Sequence, residues 1–251
     1  MSGHSHWASI KHKKGAVDAK RGKLFSKLSR AITVAGRQGG GDPEMNLKLR
    51  YAIDAARAVS MPKDNIERAI KKGTGELEGG QLDELVYEGY GPGGVAIMAE
   101  LLTDNRTRTA SEVRKLMEAH NGKLGQTGCV AYLFKRKGLF TVDARTVDEE
   151  KLIEVVLESG ADDAKREGDV FQVTCEPALF QKVRDALAEA RIATEVAELS
   201  NIPAAPIDVD PETGRKVLKL MDALDDHEDV QHVSSNFNIS EEVLVQAAAQ
   251  S

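Results

Sequence analysis

Apolar residues fall into helical register from Val17 onward. Val17, Leu24, Phe25, Leu28, Ala31, Ile32 and Ala35 make one face of a predicted helix. Residues 3–14 have no such period. Gly3, Ser5, Ser9 and a Lys-rich run predict an arm without a packed face. A second stripe, Leu49, Ala52, Ile53, Ala56 and Val59, follows Asp42-Pro43-Glu44, which reads as a helix start: a capping carboxylate before a first-position proline. A third helix starts at Pro62, with Ile66, Ala69 and Ile70 inward and Gly73 as its expected C-terminal cap. The Gly-rich, acidic stretch 73–82 then reads as a linker.

Beyond it the period changes. Leu85-Val86-Tyr87-Glu88 and Val95–Leu102 read as strands. The glycine-rich segment 89–94 joins them. A phosphate-binding loop needs a helix immediately after it, and here a strand follows, so a hairpin connection is expected. Thr109-Ala110-Ser111-Glu112 has the form of a capping box opening a helix, with Arg106 and Arg108 exposed ahead of it. Cys129–Phe134 reads as a further strand. A helix from Asp210-Pro211 and a strand over Val230–Phe237 arrive much later and complete a split βαβ sheet. Between these halves runs a βαββ-like stretch with its own helices: strands at Leu139–Val142, Asp169–Thr174 and Thr194–Leu199, and helices at Lys151–Glu158 and Leu179–Ala190.

The pattern predicts an α+β multidomain protein. A three-helix N-terminal domain is followed by two α/β, split βαβ-like domains, one inserted in the other. The expected boundaries are 1–75 for the basic helical domain and its arm, 82–134 plus 207–240 for the split domain, and 135–206 for the insertion. An insertion at an exposed loop is tolerated when its ends lie close together.

Charge sharpens this picture. The 251 residues carry a net charge of −6, which taken alone disfavours a nucleic-acid ligand. The distribution reverses that. Residues 1–72 hold 16 Lys and Arg against 6 Asp and Glu, and the remainder holds 18 against 34. From Ser2 to Arg30 there are eight cations and one acid, Asp18. Lys20, Lys23, Lys27 and Arg30 recur along the polar face of the first predicted helix. An ordinary solvated face mixes signs. A single-signed face continuing a basic arm is the footprint of a phosphate binder. Lys11, Lys13, Lys14, Lys20, Arg21, Lys23, Lys27 and Arg30 are therefore the candidate backbone contacts. Eight contacts to duplex DNA would give a slope of log K against log salt of up to about −7. Trp7, the single tryptophan, is a candidate for stacking on a base or for anchoring the arm on its own domain. Lys71 and Lys72 suit the negative end of a helix as well as they suit a ligand.

Other chemistry finds little support. There is no nucleophile elbow, zincin motif or P-loop, so no enzyme is expected and no cofactor or small-molecule substrate. His4, His6 and His12 lack partners at zinc spacing, so no metal site is assigned. If Met1 is removed, Ser2-Gly3-His4 offers a square plane to Cu(II) or Ni(II), without a functional role attached. Cys129 and Cys175 are expected to be buried free thiols. No apolar run reaches the ~18 residues of a membrane span, and the basic start leads into an amphipathic helix instead of a signal-peptide core.

The opening GHSHWASIKHKKGAVDAKRGKLFSKL, with MPKDNIERAIKKG, EGYGPGGVAI, DNRTRTASEVR and LGQTGCVAYLF, resembles the YebC family along nearly the whole chain. The resemblance implies three domains and a cytoplasmic bacterial protein. Mitochondrial relatives, described as translational activators, would carry a targeting segment before this start, for which there is no room. It also implies a regulator of gene expression. Many members are labelled transcriptional regulators that bind DNA. Others resemble ribosome-associated translation factors that bind RNA and relieve stalling on proline-rich stretches. A basic arm suits either phosphate backbone. A protein-interaction scaffold working through the acidic domains is the remaining alternative.

Overall fold

The structure is a computed structural model that describes residues 18–239, with side chains from residue 21. Three helices come first: α1 (Asp18–Gly39), α2 (Leu47–Ala58) and α3 (Lys63–Thr74). Ile32 and Ala35 of α1, Leu49, Ile53 and Ala56 of α2, and Ile66 and Ala69 of α3 form their shared core. The predicted periodicity is thus realised, but two caps move. Asn46, not Asp42, opens α2: its side chain accepts from the Leu49 N–H, while Asp42 holds a preceding turn through the Glu44 N–H. Gly75 ends α3 at φ 83, and Gly73 lies buried within the helix instead. It has no room for a side chain. A Cβ there would stand 2.5 Å from the Thr33 carbonyl oxygen and 3.2 Å from the Gly36 Cα.

The central sheet has the order β3-β1-β2-β9, from β1 (Asp83–Tyr90), β2 (Ala96–Thr103), β3 (Lys123–Leu124) and β9 (Val230–Ser235). Each neighbouring pair is antiparallel. Helices α4 (Arg106–Ala119) and α7 (Pro211–Asp225) cover one face, where Val113, Met117, Val217, Leu220 and Leu224 meet Ile97, Leu101 and Val233. The capping box expected at Thr109 is overruled by Asn105. Its side chain accepts from the Arg108 N–H, so Arg106 and Arg108 lie within α4 and Thr109 is buried.

Cys129–Leu133 is not a strand; strand structure begins only at Phe134. Val130 and Phe134 lie under the opposite sheet face and pack on Ala96 and Met98. Cys129 is half-buried there, and Cys175 fully buried in the inserted unit; both are free. The turn is held by Glu88, whose carboxylate accepts the N–H groups of Gly128 (2.7 Å), Val130 (2.8 Å) and Ala131 (2.7 Å). Burial alone would raise this carboxyl; the three donors more than offset that and hold it below its ordinary range. Glu88→Ala should destabilise the protein by about 2 kcal/mol, because it leaves the buried Val130 N–H and two partly buried N–H groups unmatched. Hydrogen exchange at those three amides should quicken before exchange elsewhere in the sheet.

The inserted unit is a β-α-β-β-α-β run. Its sheet order is β5-β6-β4-β7, from β4 (Phe134–Asp143), β5 (Asp163–Glu167), β6 (Val170–Cys175) and β7 (Val196–Pro203). Helices α5 (Glu149–Ser159) and α6 (Phe180–Glu189) pack Leu152, Val156, Val183 and Leu187 on Phe140, Phe171 and Val173. The chain then returns through β8 (Ile207–Asp208), which pairs in parallel with β10 (Phe237–Asn238). The helical unit touches both others. Tyr51 of α2 sits edge-on to Phe180 at 5.1 Å, Arg184 pairs with Asp54 at 2.8 Å, and Lys48 with Glu84 at 3.1 Å.

Candidate nucleic-acid interface

The polar side of α1 is where the sequence points, and the structure divides it. Arg21 is exposed, with its guanidinium 5.7 Å from the centre of the Phe25 ring and no ion pair among the described residues. Lys11, Lys13, Lys14 and Trp7 lie outside the described residues, as does the side chain of Lys20.

The next three candidates face another part of the same molecule. Lys23 Nζ donates to the Asp226 carbonyl at 3.3 Å. Lys27 is buried, donates to the Asp225 carbonyl and stands 3.5 Å from the Asp225 carboxylate. Arg30 binds the Asp229 carboxylate and donates to the Glu228 carbonyl at 2.9 Å. The exposed single-signed face expected for α1 is therefore corrected at Lys27, which is buried, and at Arg30, which is half-buried, while Lys23 stays exposed. The cause is the end of α7, where a negative helix terminus and an acidic turn meet the positive stripe. Charge reversal at Lys27 would set a carboxylate against Asp225, so it would test the dock and not a ligand.

Asp229 is the centre of that dock, with a side chain 2% exposed. One oxygen takes Arg30. The other accepts from Arg108 Nη2 at 2.9 Å and Thr109 Oγ1 at 2.6 Å. Burial works to raise this carboxyl, but the hydrogen bonds from Thr109 and Arg108 and the charge of Arg30 prevail and keep it below its ordinary value. His227 completes the cluster. The Asp229 N–H donates to its Nδ1 at 3.1 Å, which leaves Nε2 to donate to Glu112 at 3.0 Å. Glu112, His227 and Asp229 are the residues closest to a metal-ligand set among the described residues. Two arginines, a threonine and the mutual histidine–glutamate bond already engage those atoms, so the group builds the interface between α1 and the central unit.

Sequence reasoning missed Asp229. The available signal was the acidic run Asp225-Asp226-His227-Glu228-Asp229, complementary in charge and length to the stripe on α1. Among the described residues no helix is long and apolar enough to cross a membrane.

Comparison with known proteins places the whole chain. Residues 5–76 match the TACO1/YebC protein N-terminal domain, and residues 82–237 match the TACO1/YebC second and third domain. A "probable transcriptional regulatory protein" of Rhodopirellula baltica is 56% identical over 243 residues, covering 96% of this chain and 98% of that protein. One of the same description from Rubrobacter xylanophilus is 55% identical over 249 residues, covering 99% and 100%. The crystal structure of a conserved hypothetical protein from Aquifex aeolicus superposes with a TM-score of 0.86 at 51% identity, over 96% of this chain and 99% of that one. With the motifs, the three-unit architecture and full-length similarity in agreement, the chain belongs to the TACO1/YebC family.

Proposed function

We propose that this protein is a non-enzymatic, cytoplasmic regulator of gene expression that grips a nucleic-acid backbone through its N-terminal arm and the first turn of α1. The charge distribution carries the reading: ten net positive charges within residues 1–72 of a protein whose total is −6. The acidic remainder repels a polyanion and orients the basic end toward it. Lys11, Lys13, Lys14, Lys20 and Arg21 supply the contacts, and Trp7 is placed by sequence to stack on a base. Lys23, Lys27 and Arg30 are left out of the contact set because Asp226, Asp225 and Asp229 already engage them. The relatives named as transcriptional regulatory proteins support DNA as the first ligand to test.

The test is salt-dependent binding of the full chain to a DNA duplex and to an RNA duplex. Replacing Lys11, Lys13, Lys14, Lys20 and Arg21 together by alanine should make the slope of log K against log salt shallower by about 4 to 5 on DNA. Unchanged slope and affinity would sink the assignment. Tighter binding to RNA, with co-sedimentation on ribosomes that high salt reverses, would favour a translation factor instead.

A further inference from the structure

Among the described residues, the helical unit contains a second set of cations without a hydrogen bond or ion pair. Between residues 21 and 76 there are twelve lysines and arginines. Eight of them have a hydrogen-bond or ion-pair partner within the chain. Lys23, Lys27 and Arg30 engage Asp225, Asp226 and Asp229 at and beyond the end of α7, as described above. Arg37 donates to the Gly80 carbonyl at 3.0 Å, and Lys48 pairs with Glu84. Arg50 pairs with Glu44, Arg57 with Asp54 and Lys63 with Glu67. Four have none among the described residues: Arg21, and three neighbours on α3, Arg68, Lys71 and Lys72.

Those three stand at i, i+3 and i+4, so they share one side of the helix. All are exposed. The competing reading is that Lys71 and Lys72 serve the negative end of α3. The structure weakens it. The Lys71 carbonyl already accepts the Leu77 N–H at 3.1 Å and the Thr74 hydroxyl at 3.3 Å. Gly75 continues the chain out of the helix in a left-handed turn. Arg68, a turn earlier, is not at the helix end at all. The burial pattern agrees: Ile66, Ala69 and Gly73 are buried, while the side bearing the three cations faces solvent.

We propose that Arg68, Lys71 and Lys72 form a second contact for a phosphodiester backbone, which gives the helical unit a polyanion site beyond the arm. This rests on the nucleic-acid reading above and extends it from a tail contact to one made by a folded surface. A planar guanidinium suits bidentate phosphate binding, and two flexible ammonium groups suit the flanking charges.

The experiment uses the full-length protein and fluorescence anisotropy on a 20-base-pair DNA duplex and an RNA duplex of the same length, titrated with salt. Arg68→Ala/Lys71→Ala/Lys72→Ala should shallow the slope of log K against log salt by about 2 to 3, at roughly 0.9 per lost DNA contact. Lys135→Ala/Lys182→Ala/Lys219→Ala removes three lysines from the α/β units and controls for net charge; it should change the slope by less than one. Thermal unfolding of both variants should match the parent, because none of the six groups is buried. If the parent binds and the arm variant weakens, but the α3 variant equals the control, this inference fails while the arm assignment stands. If the parent binds neither duplex, both fall. Equal losses on DNA and RNA would make the backbone the shared ligand; loss on one alone would identify which nucleic acid α3 meets.

Discussion

Replacing both Arg30 and Arg108 by alanine should destabilise the protein by about 3–5 kcal/mol, the range for a buried charge stripped of its partners. Asp229 would be left with Thr109 alone. Single replacements should cost much less than half of this. After Arg30→Ala the carboxylate keeps Arg108 and Thr109, and after Arg108→Ala it keeps Arg30 and Thr109. The double variant should thus be worse than the sum of the singles, a coupling that urea unfolding of the four proteins would measure. Additive losses would mean the two arginines act separately. Acid should mimic the damage. The Asp229 carboxyl is depressed in the folded state, so its stabilising effect is complete above its unfolded pKa of about 3.9 and is lost as pH falls through the lower folded value. Asp229→Asn should lack that component of the decline below about pH 4.

Gly73→Val should be the most damaging small substitution in the helical unit, at about 3 kcal/mol, the upper end for overpacking. The contact it invades is backbone against backbone. The Thr33 carbonyl, the Gly36 Cα and the Arg37 N–H all crowd the site, and none can rotate away. Gly73→Ala should also destabilise, although alanine is favoured over glycine within a helix by about 1 kcal/mol. Gly22, in α1 with nothing within 4 Å of its Cβ position, provides the contrast. There alanine should stabilise by up to about 1 kcal/mol. Thermal unfolding of the three variants reads both signs, and a stabilised Gly73→Ala would refute the close approach of α1 and α3.

Much of this fold was legible because burial imposes a period. Ile32, Leu49, Ile53 and Ile66 announce their helices, and Ala96–Thr103, buried along nearly its whole length, announces a central strand. What stayed hidden was decided by competition or by distance. Asp42 and Thr109 read as caps in the sequence, but the side chains of Asn46 and Asn105 cap those helices instead. Strand β5, Asp-Ala-Lys-Arg-Glu, lies at a sheet edge with polar residues along it, so it shows no hydrophobic alternation. Cys129–Leu133 is apolar because it covers a sheet face, which a one-dimensional pattern cannot separate from belonging to one. The stripe Lys23, Lys27 and Arg30 looked solvent-facing for a related reason: its acidic partners arrive about 200 residues later in the chain.

Phe134 lies opposite Pro203 in the β4–β7 ladder, and the Ala204 N–H donates to the Leu133 carbonyl at 2.8 Å. The polypeptide thus leaves the central sheet and re-enters it through a two-stranded neck. Such a neck makes a natural graft point: a foreign module with adjacent termini, such as a fluorescent reporter, could stand on it while β1, β2 and β9 keep their own pairing. Such an exchange would also remove the contacts of Phe180 and Arg184 with Tyr51 and Asp54, so it would show how far the helical unit relies on the insertion.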